Sequence, residues 1–341
     1  MVSSKSLLRA AGWGDGQPIS VLGETALLRQ LMELAGDPLA GTEVGPGDDA
    51  AAWRAPANGL VLWSTDTLCE GVDFRRRHQT PYQVGWKAWM AAVSDLSAMG
   101  AYPRGGLVAA AIPVDTSTEA VQAIQLGLVG AAAVDGAAVM GGDLSRTEGP
   151  LVLTVTVMGG VPDGTAVILA GGSPGDRIVV TGALGLAAAA LQLLEDGAHP
   201  VPSAWLDRLL MPPSRVEAGS ALRRAGASAM TDISDGLLLD LNRVCQASGV
   251  GADLWLDRLP LGTRLADTGR ELELALTGGE DFELLATIPE ALVDEVVRSW
   301  DGELPPLAVV GILTSRAETR LFRARGGDPV EAPTGDGFRH F

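Results

Sequence analysis

The chain is poor in lysine, cysteine and histidine. Lys5 and Lys87 are the only lysines among 25 basic residues, which face 42 acids for a net charge of −17 over 341 residues. So acidic a chain lacks the basic patches that nucleic acids and anionic membranes require, and its choice of phosphate-binding lysines is almost a single residue. Cys69 and Cys245 make no disulfide framework and no metal spacing, and His78, His199 and His340 are too scattered for a histidine-held zinc. No apolar run approaches the ~20 residues that cross a bilayer, and the first residues lack the compact apolar core of a signal peptide. These absences predict a soluble, cytoplasmic protein that binds neither nucleic acid nor anionic membranes. Familiar phosphate machinery is missing too. There is no Gly-x-x-x-x-Gly-Lys-Ser/Thr loop, Asp281-Phe282-Glu283 lacks the protein-kinase context, and no Gly-x-Ser-x-Gly elbow presents a serine nucleophile.

With 47% hydrophobic residues the chain can bury large cores, and its length suggests two domains at roughly 150 residues each. Residues 1 to 23, polar and glycine-rich up to Trp13 to Gly16, read as a mobile lead-in, followed by a helix over Glu24 to Leu34. Pro81 opens a long helix to Met99, which Gly100 closes. Gly106 to Ile112 reads as a strand, Thr116 with Glu119 as a capping box for a helix to about Val134, and Leu151 to Met158 as an alternating strand. Pro162-Asp163-Gly164 marks the boundary, giving domains over 1–161 and 162–341. Beyond it, strands are expected at Arg177 to Thr181, around Met230, at Phe282 to Ile288 and near 307–313 and 319–323. Helices are expected at Leu184 to Leu194, Ser214 to Ala225, Leu237 to Ala247 and Glu290 to Trp300. The fold class is therefore α/β (α+β) throughout.

Five motifs share one design, in which an apolar element stops at glycine or a hydroxyl residue and presents a carboxylate. They are Asp48-Asp49, Ser64-Thr65-Asp66, Asp143 after Gly141-Gly142, Asp232 with Ser234-Asp235, and Glu280-Asp281 after Gly278-Gly279. Asp95 is a sixth acid, set among Ala91, Ala92, Leu96 and Met99 in the long helix, where a lone ionised carboxylate needs a cation, a charged partner or a proton. Lys87, two turns upstream, is a stretched candidate for that partner. Each motif alone also reads as ordinary structure: a helix cap, a turn acid or an ion pair. If the acids converge, the electrostatics change. Two carboxylates about 4 Å apart at an effective dielectric of 20 repel by about 4 kcal/mol, so several stay ionised together only around metal. Magnesium is the natural ion, since it takes oxygen ligands and joins one or two carboxylates to nucleotide phosphates. A phosphoryl-transfer enzyme without a P-loop would lean on such ions for charge neutralisation.

Taken in order, the motifs resemble thiamine-monophosphate kinase, within the aminoimidazole ribonucleotide synthetase superfamily. The resemblance runs through Gly47-Asp48-Asp49, Ser64-Thr65-Asp66-Thr67, Lys87 with Ser94 to Gly100, and Gly141-Gly142-Asp143. It continues through Pro174-Gly175-Asp176, Asp232-Ile233-Ser234-Asp235-Gly236-Leu237 and Gly278-Gly279-Glu280-Asp281-Phe282-Glu283-Leu284, to the closing Gly337-Phe338-Arg339-His340-Phe341. It implies a two-domain synthetase-like fold, whose N-terminal αβ domain carries a mixed sheet that pairs in a homodimer and whose C-terminal domain is also αβ. It also implies ATP-dependent phosphorylation of thiamine phosphate to thiamine diphosphate, by direct in-line transfer with several magnesium ions. On that resemblance Asp49, Ser64, Thr65, Asp66, Asp95, Asp143, Asp232 and Asp235 would be metal ligands, with Asp66, Asp95, Asp143 and Asp232 at the chemistry. Gly142, Asp143 and Ser234 would touch ATP, and Asp73, Glu280 and Phe338 the thiamine side. Lys87 is added on physical grounds alone, as a phosphate neighbour.

Three positions depart from the family pattern. Asp73, in Gly71-Val72-Asp73-Phe74, stands where a substrate-contacting histidine is usual, with Arg75, Arg76 and Arg77 following it. Leu169 stands where an ATP-contacting arginine is expected, and Gly335 replaces an aromatic substrate contact, leaving Phe338 as the nearest ring. The metal side is intact and the substrate side is altered. A sister kinase or ring-closing synthetase with another acceptor, and an inactive nucleotide-binding homologue, therefore stand as alternatives.

Overall fold

The computed structural model describes residues 4–22, 24–34, 42–44, 52–53, 59–198 and 200–332. Asp48, Asp49, Gly335 and Phe338 lie outside the described residues, and with them the expected roles of Asp49 and Phe338. The chain forms two compact units, one running through Leu96 and then Tyr102–Gly164, the other comprising Ser97–Ala101 and Thr165 onward.

The first unit opens with helices α1 (Ser4–Arg9), α2 (Ile19–Leu22) and α3 (Glu24–Leu34), then a two-stranded pair, β1 (Thr42–Val44) with β2 (Ala52–Trp53). Its main sheet is built from β3 (Leu60–Cys69), β4 (Tyr102–Pro113), β5 (Ala138–Thr147) and β6 (Val152–Val161) in the order β3-β6-β4-β5. The sheet is mixed, because β4 and β5 run parallel while β6 is antiparallel to both β3 and β4. Two helices, α4 (Pro81–Ala98) and α5 (Thr118–Val134), supply the apolar cover. Proline suits the first turn of α4, where its missing N–H is no loss, and the left-handed Gly100 (φ 70°) follows the helix end. Glycine lets α4 and α5 approach closely: a Cβ on Gly85 would lie 2.0 Å from the Ile124 carbonyl oxygen, and one on Gly127 2.0 Å from that of Tyr82. Trp89 and Leu96 of α4 press on Gly106 and Gly159 of the sheet.

The second unit carries a seven-stranded sheet in the order β13-β12-β9-β11-β7-β10-β8. Its strands are β7 (Arg177–Thr181), β8 (Ala229–Ile233), β9 (Gly251–Trp255), β10 (Glu283–Ile288), β11 (Leu307–Thr314), β12 (Thr319–Phe322) and β13 (Pro329–Val330). Only β12 and β9 pair in parallel. Helices α6 (Leu186–Glu195), α7 (Ser203–Leu210), α8 (Val216–Arg224), α9 (Leu237–Ser248), α10 (Glu271–Thr277) and α11 (Glu290–Ser299) complete it. The strand β10 is buried at every position, so its two faces feed two cores: Leu285 packs with Ile233 and Leu237, while Leu284 and Ala286 pack with Leu222 and Met230.

The structure corrects several expectations. The described part of the lead-in packs on the first unit. The Trp13 ring stacks on Phe74 at 6.2 Å, its indole N–H donates to the Gln79 carbonyl at 2.7 Å, and the Arg76 guanidinium lies 4.8 Å over its ring. The cap of α5 is Ser117 rather than Thr116: the helix begins at Thr118, and the Ser117 hydroxyl accepts from the Ala120 N–H at 3.1 Å. Neither β3 nor β5 stops at its acid. Ser64, Thr65 and Asp66 are mid-strand, and β5 continues through Gly141-Gly142-Asp143, its register against β4 shifting between Gly106 and Leu107 so that Met140 is the extra residue. Helices α7 and α10 and strand β9 were not foreseen.

Candidate active site

Strand alternation sorts the acids and hydroxyls of β3. Leu62 and Leu68 are buried on one face, and Ser64 and Asp66 share it, while Trp63, Thr65 and Thr67 are exposed on the other. The Ser64 hydroxyl donates to Oδ2 of Asp95 on α4, linking strand and helix. Asp95 reaches solvent while its helical neighbours Ser94 and Leu96 are buried. Protein mass around the carboxyl still desolvates it and raises its pKa above the ordinary value, an effect the Ser64 hydrogen bond partly opposes. Lys87, two turns upstream on α4, is 2% exposed, and its ammonium donates to the main-chain carbonyl of Asp73 at 3.0 Å.

Thr65 turns the other way. Its hydroxyl pairs with that of Thr156 at 2.9 Å, as Thr67 does with Thr154 at 2.9 Å, so only its backbone is on hand for a ligand beside Ser64 and Asp66. The Asp66 carboxylate accepts the Thr67 N–H at 2.7 Å. Asp143, hydrogen-bonded by the Ser145 hydroxyl at 3.3 Å, sits on β5, three strands from β3 and so roughly 14 Å away at about 4.8 Å per strand. Gly142 is required beside it, since a Cβ there would fall 1.9 Å from the Val108 carbonyl oxygen. The described candidate acids of this unit, Asp66 on β3, Asp95 on α4 and Asp143 on β5, are not gathered at one point. Asp73 closes the turn after β3. Its Oδ2 accepts the Cys69 N–H at 2.7 Å, and burial together with the Asp73 charge pushes the Cys69 thiol pKa up.

In the second unit Asp232 is 7% exposed on β8, opposite Leu284 of β10. The loop that follows, Ser234-Asp235-Gly236, is held by a residue that motif reading passed over. One oxygen of Asp240 accepts the N–H groups of Ser234, Asp235 and Gly236 at 3.1, 3.1 and 3.2 Å, and the other accepts Arg243 at 2.7 Å. The signal for it was available: α9 has glycine at its N-cap, with no side chain to accept, and an acid in its first turn. Asp240 is fully buried, and desolvation raises its pKa to about 6 against the lowering by Arg243 and the loop amides. Asp235 is also engaged by Arg243, at 2.5 Å. Glu280 meets the same loop, donating its N–H to the Ser234 carbonyl at 2.8 Å. Leu169, at the expected arginine position, is 37% exposed.

The donors suit a hard cation. They are oxygens of carboxylates and hydroxyls, and Asp95, desolvated and bonded only to a serine hydroxyl among the described residues, gains from a positive charge beside it. Among the described residues no three His, Cys, Asp or Glu side chains cluster tightly enough to hold a metal alone. Magnesium, which uses one or two carboxylates together with substrate phosphates, needs no such cage.

The family models for AIR synthase related protein match the chain over both units, the N-terminal domain at residues 47–161 and the C-terminal domain at 173–323. The thiamine-monophosphate kinase of Salmonella typhimurium is 35% identical over 334 residues, 94% of this chain and 98% of that protein. The crystal structure of thiamine-monophosphate kinase from Stenotrophomonas maltophilia K279a is similar with a TM-score of 0.78 and 33% identity, covering 89% of this chain and 97% of that one. A structure of AaThiL complexed with AMPPCP and TMP is similar with a TM-score of 0.73 and 28% identity, covering 96% and 100% of the two chains. Similarity of that extent, carried through the acid-bearing strands and loops described above, establishes that the chain belongs to the thiamine-monophosphate kinase family.

Proposed function

We propose that the chain phosphorylates thiamine phosphate to thiamine diphosphate with ATP as the phosphoryl donor. The observation that carries this reading is the 35% identity with a thiamine-monophosphate kinase over 94% of the chain, and the solved relative holding AMPPCP and TMP supports the substrate pair. Ser64, Asp66, Asp95 and Asp143, with the Thr65 backbone, are the first unit's candidates to hold magnesium, and Asp232 and Asp235 the second unit's. When bound, the ions would neutralise charge on the transferring phosphoryl group. The chain's own residues do the positioning. Asp95 is kept in place by the Ser64 hydroxyl, Gly142 lets backbone approach a phosphate without a side chain in the way, and Asp240 fixes the Ser234 loop for the nucleotide. Glu280 takes the thiamine side.

A homodimer joined through the first unit's sheet is part of this reading. It is supported by the face that α4 leaves uncovered, where Trp63 is 63% and Leu107 41% exposed on adjoining parts of the sheet. No helix among the described residues is long and apolar enough to cross a membrane, and the two cysteines are free, which supports a cytoplasmic setting. The test is incubation of the purified chain with ATP, magnesium and thiamine phosphate, with chromatographic detection of thiamine diphosphate. Formation of the diphosphate is expected. ADP release with a different phosphorylated acceptor and none with thiamine phosphate would overturn the acceptor.

A further inference from the structure

Among the described residues, three that are not glycine have positive φ, and two of them flank Asp281: Glu280 at 66° and Phe282 at 46°. A left-handed L-residue is strained by roughly 1–2 kcal/mol, and a pair bracketing one position requires that the surroundings hold them there. The position between them is the anchor. Asp281 is 3% exposed, and both its carboxylate oxygens accept the N–H of Gly185, at 3.1 and 2.9 Å. Gly185 is the N-cap of α6, itself left-handed (φ 82°), with no side-chain cap of its own. A Cβ at Gly185 would meet Leu265 at 2.9 Å and the Ala275 amide at 3.0 Å, so no capping side chain fits locally. The acceptor must reach in from elsewhere, and Asp281 reaches in from 96 residues away. Two positions further on, Glu283 is fully buried, bonded to Arg208, to Arg215 at 2.5 and 2.6 Å, and to the Thr181 hydroxyl at 2.7 Å. Anchored and strained residues thus alternate from 280 to 283. The strained pair is also tied at its amides, Glu280 to the Ser234 carbonyl at 2.8 Å and Phe282 to that of Ile233 at 2.9 Å.

We infer that Asp281 is a positioning residue: by capping α6 it holds Glu280 in the left-handed backbone conformation that presents the Glu280 side chain to thiamine phosphate. The inference rests on the assignment of Glu280 to that substrate. A carboxyl chosen for stability alone would not sit where burial pushes its pKa up to about 7, nor draw its two neighbours into disfavoured backbone.

The test compares Asp281→Ala and Asp281→Asn with the unmodified chain by steady-state kinetics and by amide hydrogen exchange of residues 278–285 and of the first turn of α6. In Asp281→Ala, exchange at Glu280 and Phe282 is expected to quicken at least tenfold. KM for thiamine phosphate should rise about tenfold, with KM for ATP changed less than twofold. Asp281→Asn keeps one acceptor oxygen and should fall between, which also keeps the test available if the alanine variant fails to fold. Faster exchange in α6 alone, with residues 280–282 unchanged, would make Asp281 a helix cap only and overturn the inference. So would a loosened loop with an unchanged KM for thiamine phosphate. If the unmodified chain does not turn over thiamine phosphate, the functional reading fails on its own, and the exchange result still decides the anchoring.

Discussion

Ser64 on β3 and Asp95 on α4 are joined by a hydrogen bond from hydroxyl to carboxylate, across 31 positions of sequence. The bond fixes a carboxylate that reaches solvent at the junction of sheet and helix, where the surrounding protein raises its pKa and a nearby cation would favour its charged form. Asp95→Asn is therefore expected to reduce turnover at least a thousandfold while leaving the melting temperature unchanged or raised. Ser64→Ala should cost about tenfold in kcat/KM, since the carboxylate survives but is free to wander. Paired melting curves and ADP-release rates check both. Activity above a tenth of the unmodified level in Asp95→Asn would remove Asp95 from the chemistry.

Thr65 and Ser64 are adjacent in sequence and point to opposite faces of β3. If Thr65 contributes to the site through its backbone, replacing its hydroxyl with a methyl should leave the site intact. Thr65→Val is expected to keep kcat/KM within threefold and to destabilise by about 1 kcal/mol, the usual value of one hydroxyl pair. A hundredfold fall in activity with normal stability would place the hydroxyl itself at the ligand.

The fold was legible wherever a pattern is local. Glu24–Leu34 and Arg177–Thr181 follow from periodicity to the residue, and Pro81 and Gly100 delimit α4 by their own backbone limits. What sequence could not give is which face a side chain takes and which distant group meets it. Ser64-Thr65-Asp66 looks like one cluster in a row and is split by the two-residue period once the strand continues past it. Asp240 and Asp281 escaped notice as acids with partners, because their partners are backbone N–H groups, which leave no trace in residue identity. Asp73, expected on the thiamine side, also accepts the Cys69 amide at its Oδ2, a partner that residue identity does not reveal.

That bond makes a prediction for Asp73. Asp73→Ala should destabilise the first unit by about 1 kcal/mol through the exposed Cys69 amide, and lower the raised pKa of the Cys69 thiol by removing a neighbouring negative charge. Thiol labelling rates against pH read the second effect. A change of more than fivefold in KM for thiamine phosphate, with stability intact, would place Asp73 at the substrate.

Gly142 is predicted to tolerate no side chain. Alanine there would put Cβ 1.9 Å from the Val108 carbonyl oxygen, and the nearest atoms are all Val108 backbone, which has nothing flexible to yield. Gly142→Ala should destabilise by about 3 kcal/mol or more, visible as an early urea transition of the first unit. Gly136, with nothing within 4 Å of an added Cβ, has only its left-handed φ of 66° against it, so Gly136→Ala should be the milder change.

Asp240 sets a pH dependence whose sign can be worked out. Its carboxyl titrates near 6 when folded, against an ordinary value of 3.8, so between those limits the native chain binds more protons than the unfolded one. Stability contributed by this group therefore falls as pH rises from about 4 to about 6, by at most about 3 kcal/mol, and is constant outside that window. Asp240→Asn should abolish that slope, so urea midpoints of the variant and the unmodified chain should diverge across pH 4 to 6 and run parallel from pH 7 upward. The same substitution puts an amide NH2 against Arg243 or against the three loop N–H groups, depending on which way it turns. It should thus raise KM for ATP about tenfold at pH 8, where Asp240 is ionised in the unmodified chain. Parallel urea midpoints across the whole range would show that the carboxyl titrates at its ordinary value, and that the Ser234 loop is held without an ionised Asp240.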